Sequence, residues 1–180
     1  MRILVIDDNE TCRAAAIAQL SDHETTITGS YDEGQRLVRD KHEFEVVLVD
    51  LLMPASWQTL GSRGAGLGGV EMPVGIFLAL LAAKNGAKYV AVFTDSDHHS
   101  HPASACFDAF NRNETWAISF SVEGARVILS NNRNWINHFQ PENLANEMEF
   151  DEWYSGDKLA VKTKNWLKVL EYLLSGKHIV

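Results

Sequence analysis

Apolar residues in this chain gather in two ways. Arg2-Ile3-Leu4-Val5-Ile6, Phe44-Glu45-Val46-Val47-Leu48-Val49 and Tyr89-Val90-Ala91-Val92-Phe93 are short, nearly continuous runs rich in branched side chains. Runs of this kind fit strands covered on both faces, as in a parallel sheet. Between them the spacing is helical: Ala14, Ile17 and Leu20 follow a cap at Asp8 or Asn9, and Leu37 and Val38 lie within Tyr31–His42. A third helix is predicted over Val74–Asn85, stopped by Gly86 at the favoured C-terminal position. Thr25-Thr26-Ile27-Thr28 reads as a polar strand near an edge.

Later segments add four elements. Pro102–Phe110 reads as a helix that starts on proline, where a missing N–H is harmless. Ala117–Val122 and Ala125–Ser130 flank Glu123-Gly124 as an antiparallel hairpin. Leu159-Ala160-Val161 is a short strand, and Trp166–Leu174 an amphipathic closing helix on Leu167, Leu170 and Leu174. Alternating strands and helices predict an α/β fold, a doubly wound parallel sheet whose strand ends share one edge. The 180 residues are expected to form one domain, with the hairpin region as an insertion.

Composition narrows the function classes. With 46% apolar and 22% charged residues the chain reads as globular. A formal charge of -8 disfavours general binding to nucleic acid or anionic lipid. Cys12 and Cys106 are too few for a disulfide framework and suit a reducing compartment; Cys106 is expected to pack within its helix. No long apolar run crosses a bilayer, so a cytoplasmic location with no membrane partner is expected.

The chemistry-bearing residues fall at strand ends. Asp7 and Asp8 end the first strong run, Asp50 the second and Thr94 the third, so all four are expected in one crevice. Three neighbouring carboxylates repel one another unless a cation joins them, and oxygen ligands of this kind suit Mg²⁺ rather than Zn²⁺. A carboxylate beside such an ion can attack a phosphoryl group, whose oxygens then need a hydroxyl donor such as Thr94 and a nearby cation. The structural alternative is that these carboxylates only cap helices.

Ile3-Leu4-Val5-Ile6-Asp7-Asp8-Asn9, Val47-Leu48-Val49-Asp50-Leu51-Leu52-Met53-Pro54 and Val90-Ala91-Val92-Phe93-Thr94 together resemble the receiver domain of two-component response regulators. The resemblance covers residues 1–94, and then only the closing strand and helix. It implies a flavodoxin-like doubly wound parallel five-stranded sheet. It also implies Asp50 as phosphoacceptor and Mg²⁺ held by Asp8, Asp50 and the Leu52 carbonyl, with Asp7 acting through water. Thr94 would be the switch hydroxyl. The lysine that the family places soon after the threonine is displaced here. One alignment matches Gly124-Ala125 to the family's last strand and leaves Asn131 in the lysine position. The other, preferred, takes Lys164-Asn165-Trp166, with Lys162 as a near neighbour, and implies an insertion over approximately residues 96–157. The implied partners are a histidine kinase or phosphotransfer protein and a downstream protein, with a homodimer possible. Any catalysis would be limited to self-phosphorylation and autodephosphorylation, and no DNA-binding output segment is expected.

Other readings compete. A phosphorylation-independent pseudo-receiver would bind a ligand or partner instead, and a Mg²⁺-dependent phosphatase of similar topology would use Asp7 as its nucleophile. Asp97, His99 and His101 could hold a transition metal, and His98 or His99 could sense the phosphoryl group or pH. The glycines over residues 61–69 lack a Gly-Lys-Ser/Thr ending, so a flap over the site fits them better than a nucleotide loop. Trp116, Trp135, Trp153 and Trp166 are expected as core or interface anchors.

Overall fold

The computed structural model of the protein describes residues 1–39, 43–54, 56–96, 99, 101–108, 117–139 and 161–176. Strands β1 (Arg2–Ile6), β2 (Glu24–Thr28), β3 (Val46–Val49), β4 (Met53–Pro54), β5 (Glu71–Met72), β6 (Tyr89–Phe93), β7 (Ala117–Val122), β8 (Ala125–Ser130), β9 (Ile136–Phe139) and β10 (Val161–Lys164) follow in chain order. Among them lie helices α1 (Glu10–Gln19), α2 (Tyr31–Arg39), α3 (Trp57–Leu60), α4 (Val74–Lys84), α5 (Pro102–Asp108) and α6 (Trp166–Leu174). The central sheet has six strands in the order β2-β1-β3-β6-β8-β7. All its pairings are parallel except β7 with β8.

Strand parity sorts the core into two layers. Leu4, Ile6, Val47, Val49, Val90, Val92 and Val127 pack under α2 and α4, through Leu37, Val38, Leu78, Ala79 and Ala82. Ile3, Val5, Val46, Leu48, Ala91, Phe93 and Ile128 pack under α1 and α6, through Ala16, Trp166, Val169, Leu170 and Leu173. Both faces are covered, which is why the central strands read as unbroken apolar runs.

Local signals act where they are found. Asn9 caps α1, its side chain accepting from the Thr11 and Cys12 N–H groups. Gly86 (φ 100°) ends α4, with Gly86 N–H bonded to Ala83 O and Ala87 N–H to Ala82 O, a Schellman closure. Glu123 and Gly124 both have positive φ (51° and 82°), as a two-residue hairpin of right-handed twist requires.

Four expectations need correction. The sheet has six strands rather than five, and its fifth parallel strand is β8, the second arm of the hairpin. The strand expected at Leu159–Val161 is β10, which pairs antiparallel with β9 outside the central sheet; residues 159 and 160 lie outside the described residues. The reason is burial: β8 is apolar enough to be covered on both faces, whereas Val161-Lys162-Thr163-Lys164 carries two lysines, one of them exposed. The helix stripes also differ. Cys12 and Ala16 on α1 and Leu20 at its C-cap are buried while Ile17 is exposed, and α6 buries Trp166, Val169, Leu170 and Leu173 rather than Leu167 or Leu174. Cys106 is exposed on α5. Burial, and then the charge of Asp7, pushes the Cys12 thiol up to about 12, which closes thiolate chemistry to it near neutral pH. Among the described residues no helix is long and apolar enough to cross a membrane.

Candidate functional site

The order β2-β1-β3 sends the chain from β1 to one side and from β3 to the other. The carboxyl ends of β1 and β3 are therefore the place where the connecting loops part and leave a crevice. Backbone bonds continue the sheet one residue past each strand. Asp7 N–H donates to Thr28 O (3.0 Å), Asp50 N–H to Ile6 O (2.8 Å) and Thr94 N–H to Ser130 O (3.1 Å). Asp7, Asp50 and Thr94 are thus held on the sheet's rim and buried.

Carboxylate oxygens of Asp7, Asp8 and Asp50 lie within 4.8 Å of one another. Asp7 is fully buried, and both its oxygens have donors: Oδ1 accepts from Asn9 N–H (2.8 Å) and Oδ2 from Lys164 Nζ (2.7 Å). Lys164 Nζ also stands 2.8 Å from Asp50 Oδ1 and 3.8 Å from Asp95 Oδ1. The Asp50 contact is an ion pair without hydrogen-bond alignment, so this buried oxygen keeps an unused lone pair. Asp8, Asn9, Asp50, Leu52, Glu71, Thr94, Asp95 and Ser96 line a cleft of about 240 Å³. Thr94 Oγ1 accepts from Ser96 N–H (3.1 Å), which leaves the Thr94 hydroxyl proton to donate.

Lys164 enters from outside the sheet. β10 lies against α1, Gln19 Nε2 donates to Lys164 O (3.2 Å), and Trp166 Nε1 donates to Cys12 O (2.9 Å). The Trp166 ring centroid is 5.5 Å from the Lys164 ammonium, a cation–π contact. Trp135 and Trp166 both meet Phe93 edge-on, at 5.9 and 6.0 Å; these two tryptophans are core anchors.

The charges determine the protonation states. Burial alone would lower the Lys164 pKa, but the charges of Asp50, Asp7 and Asp95 outweigh it and hold the ammonium above the ordinary lysine value. Asp50 moves the other way. Burial raises it to about 7 against the pull of Lys164, and the charges of Asp7 and Asp95 push in the same direction as burial. Asp8 is raised too, first by burial and then by Asp7. Three carboxylates and one ammonium leave an excess of two negative charges when all are ionised. With only oxygen donors and a polar cleft beside them, this group can hold a hard divalent cation.

The chain matches no family model, no curated protein and no solved structure.

Of the residues expected in the site, Asp7, Asp8, Asp50, Thr94, Lys164 and Leu52 come together. Lys162 is exposed, and Asn131, just beyond β8, does not line the cleft. His101 Nδ1 accepts from Ala103 N–H (3.0 Å) at the start of α5, so it serves as a helix cap. Asp7, Asp8 and Asp50 are the one metal-competent group among the described residues. Asp97, His98, Trp116 and Trp153 lie outside those residues. The glycine-rich stretch forms a 3₁₀ helix (Ser62–Leu67) directly after α3, and the β4–β5 ladder closes the base of both. That ladder brings Glu71 to the cleft. Nothing in the local sequence marks Glu71, whereas Asp95 follows Thr94 at a strand end and falls under the same rule that singles out Asp7 and Asp50.

Proposed function

We propose that this chain is a receiver-type phosphoacceptor of flavodoxin-like fold, which takes a phosphoryl group onto Asp50 from a phosphohistidine with Mg²⁺ and signals through protein contact. The observation that carries this reading is the convergence of Lys164 Nζ on Asp7 (2.7 Å) and Asp50 (2.8 Å) beside a cleft that Thr94 lines. In the transfer an Asp50 oxygen forms the new bond to phosphorus while the phosphorus–imidazole bond breaks and its electron pair leaves with the imidazole nitrogen. Lys164 and the Thr94 hydroxyl supply cation and donor for the phosphoryl oxygens. Asp7, with both oxygens engaged, orients Lys164. The same engagement and its complete burial argue against Asp7 as the nucleophile of a phosphatase.

Asp8, Asp50 and the Leu52 carbonyl would hold Mg²⁺, with Asp7 acting through water. When bound, the ion neutralises charge shared by the nucleophile and the phosphoryl oxygens. Incubation with a small phosphodonor and Mg²⁺ should add the mass of one phosphoryl group, and Asp50→Asn should abolish that gain. No added mass, with Mg²⁺ binding intact, would leave the pseudo-receiver as the better reading.

A pH dependence follows from Asp50. Its raised pKa, about 7, means that a proton competes with the ion near neutrality. Mg²⁺ affinity should hold steady above that value and weaken below it, by up to about tenfold per pH unit where one proton is displaced per ion. Calorimetric titrations at several pH values on either side of it check this; an affinity indifferent to pH would remove Asp50 from the ligand set.

A further inference from the structure

Resting on the phosphoacceptor reading, we infer that Arg13 is a positioning residue that staples the backbone of the acidic turn and thereby sets how tightly Asp8 holds the divalent ion. Arg13 lies on α1, and its Nη1 donates to two successive carbonyls, Asp7 O at 2.9 Å and Asp8 O at 2.6 Å. In an extended strand successive carbonyls point to opposite sides. Two that share one nitrogen mark the point where the chain curls out of β1. That curl divides the labour of the pair: Asp7 turns inward to Lys164 while Asp8 faces the cleft. Arg13 touches neither cleft nor carboxylate through any of these bonds, so it acts on the ion through the ligands' backbone.

The opposite wall of the guanidinium is Gly29. A Cβ placed there would lie 2.5 Å from Arg13 Nη1, 2.8 Å from Cζ and 3.3 Å from Nε. Gly29 has no positive φ, so alanine can adopt its backbone. The atoms it would strike are the tip of a flexible side chain. Gly29→Ala therefore displaces the staple while keeping its charge and leaving the acidic residues untouched, and it tests the geometry separately from the electrostatics.

The test is calorimetric titration of the full chain with MgCl₂, alongside thermal melts in EDTA. Gly29→Ala and Arg13→Met should each weaken Mg²⁺ binding by about 10- to 100-fold, the range for residues that orient metal ligands. Arg13→Lys, which keeps the charge but not the fixed donor geometry of the planar guanidinium, should fall between them and wild type. Melting of Gly29→Ala should match wild type. Unchanged affinity in Gly29→Ala, or weakening that merely tracks a lower melting temperature, overturns the inference. Wild-type protein that melts normally but takes up no Mg²⁺ overturns the phosphoacceptor reading as well.

Discussion

Lys164→Met should make the fold strongly dependent on pH, with a loss of about 3–5 kcal/mol above pH 7 that shrinks on acidification. Lys164 is completely buried, and its ammonium is the close counter-charge of both Asp7 (2.7 Å) and Asp50 (2.8 Å). Methionine fills similar space without the charge, so what disappears is compensation rather than packing. Breaking a buried pair costs more than the pair is worth, because the surviving carboxylates stay desolvated. The sign follows from Asp50. Its pKa lies above the unfolded value of 3.8 even with Lys164 present, and it rises further once that lowering influence is gone. The folded state then binds more protons than the unfolded one. Stability is greatest below the unfolded pKa and is lost as pH rises through the folded one. Urea unfolding at pH 5 and pH 8 should therefore show a deficit against wild type at both and a larger one at pH 8, by up to about 1.4 kcal/mol for one proton over the one pH unit above 7. Millimolar Mg²⁺ should restore part of the loss at pH 8, since the ion supplies the missing charge. A pH-independent deficit would show that Lys164 contributes only through packing.

Local sequence marks the rim of the sheet but not this lysine. The runs at β1, β3 and β6 are legible because each is covered on both faces, so every position must be apolar. Their ends then place Asp7, Asp50 and Thr94 on one rim. Asn9, Gly86 and Glu123-Gly124 are legible because a cap, a left-handed helix end and a tight hairpin each demand particular residues. Lys164 is different. It reaches the rim from a two-stranded ribbon packed on α1, and strand pairing across so many residues leaves no local trace. Only the resemblance carried by Lys164-Asn165-Trp166 marks it. The same resemblance suggested that its strand closes the sheet, a position that β8 occupies. The hairpin reading and the rival alignment of Gly124-Ala125 to the last parallel strand thus describe one element from two sides. Arg13 and Glu71 act through a turn and a ladder that exist only once the chain has folded, so no periodicity announces them.

Gly75→Ala should be the most damaging single-methyl change at the site. Gly75 is buried in the first turn of α4 and donates its N–H to Leu51 O (3.1 Å). A Cβ there would lie 1.9 Å from Asp50 O, 2.8 Å from Asp50 C and 2.9 Å from Leu51 Cα. All three atoms are backbone, and Asp50 N–H is already tied to Ile6 O at 2.8 Å, so the rim cannot yield without breaking the sheet's last bond. Helix α4 must lift instead, which strips contacts from Leu78 and Ala79 under it. Overpacking typically costs about 1–3 kcal/mol, and a clash with backbone belongs at the top of that range or above it. At about 3 kcal/mol the melting temperature should fall by roughly 6–12 °C for a domain of this size. Gly34→Ala is the informative comparison. Its Cβ would meet the Ile6 side chain at 2.8 and 3.0 Å, and a side chain can rotate away. It should cost clearly less and leave phosphoryl uptake on Asp50 intact, whereas Gly75→Ala should lower uptake even at temperatures where it remains folded. Equal melting temperatures for the two variants would mean that α4 does not rest on the Asp50 backbone as tightly as these distances require.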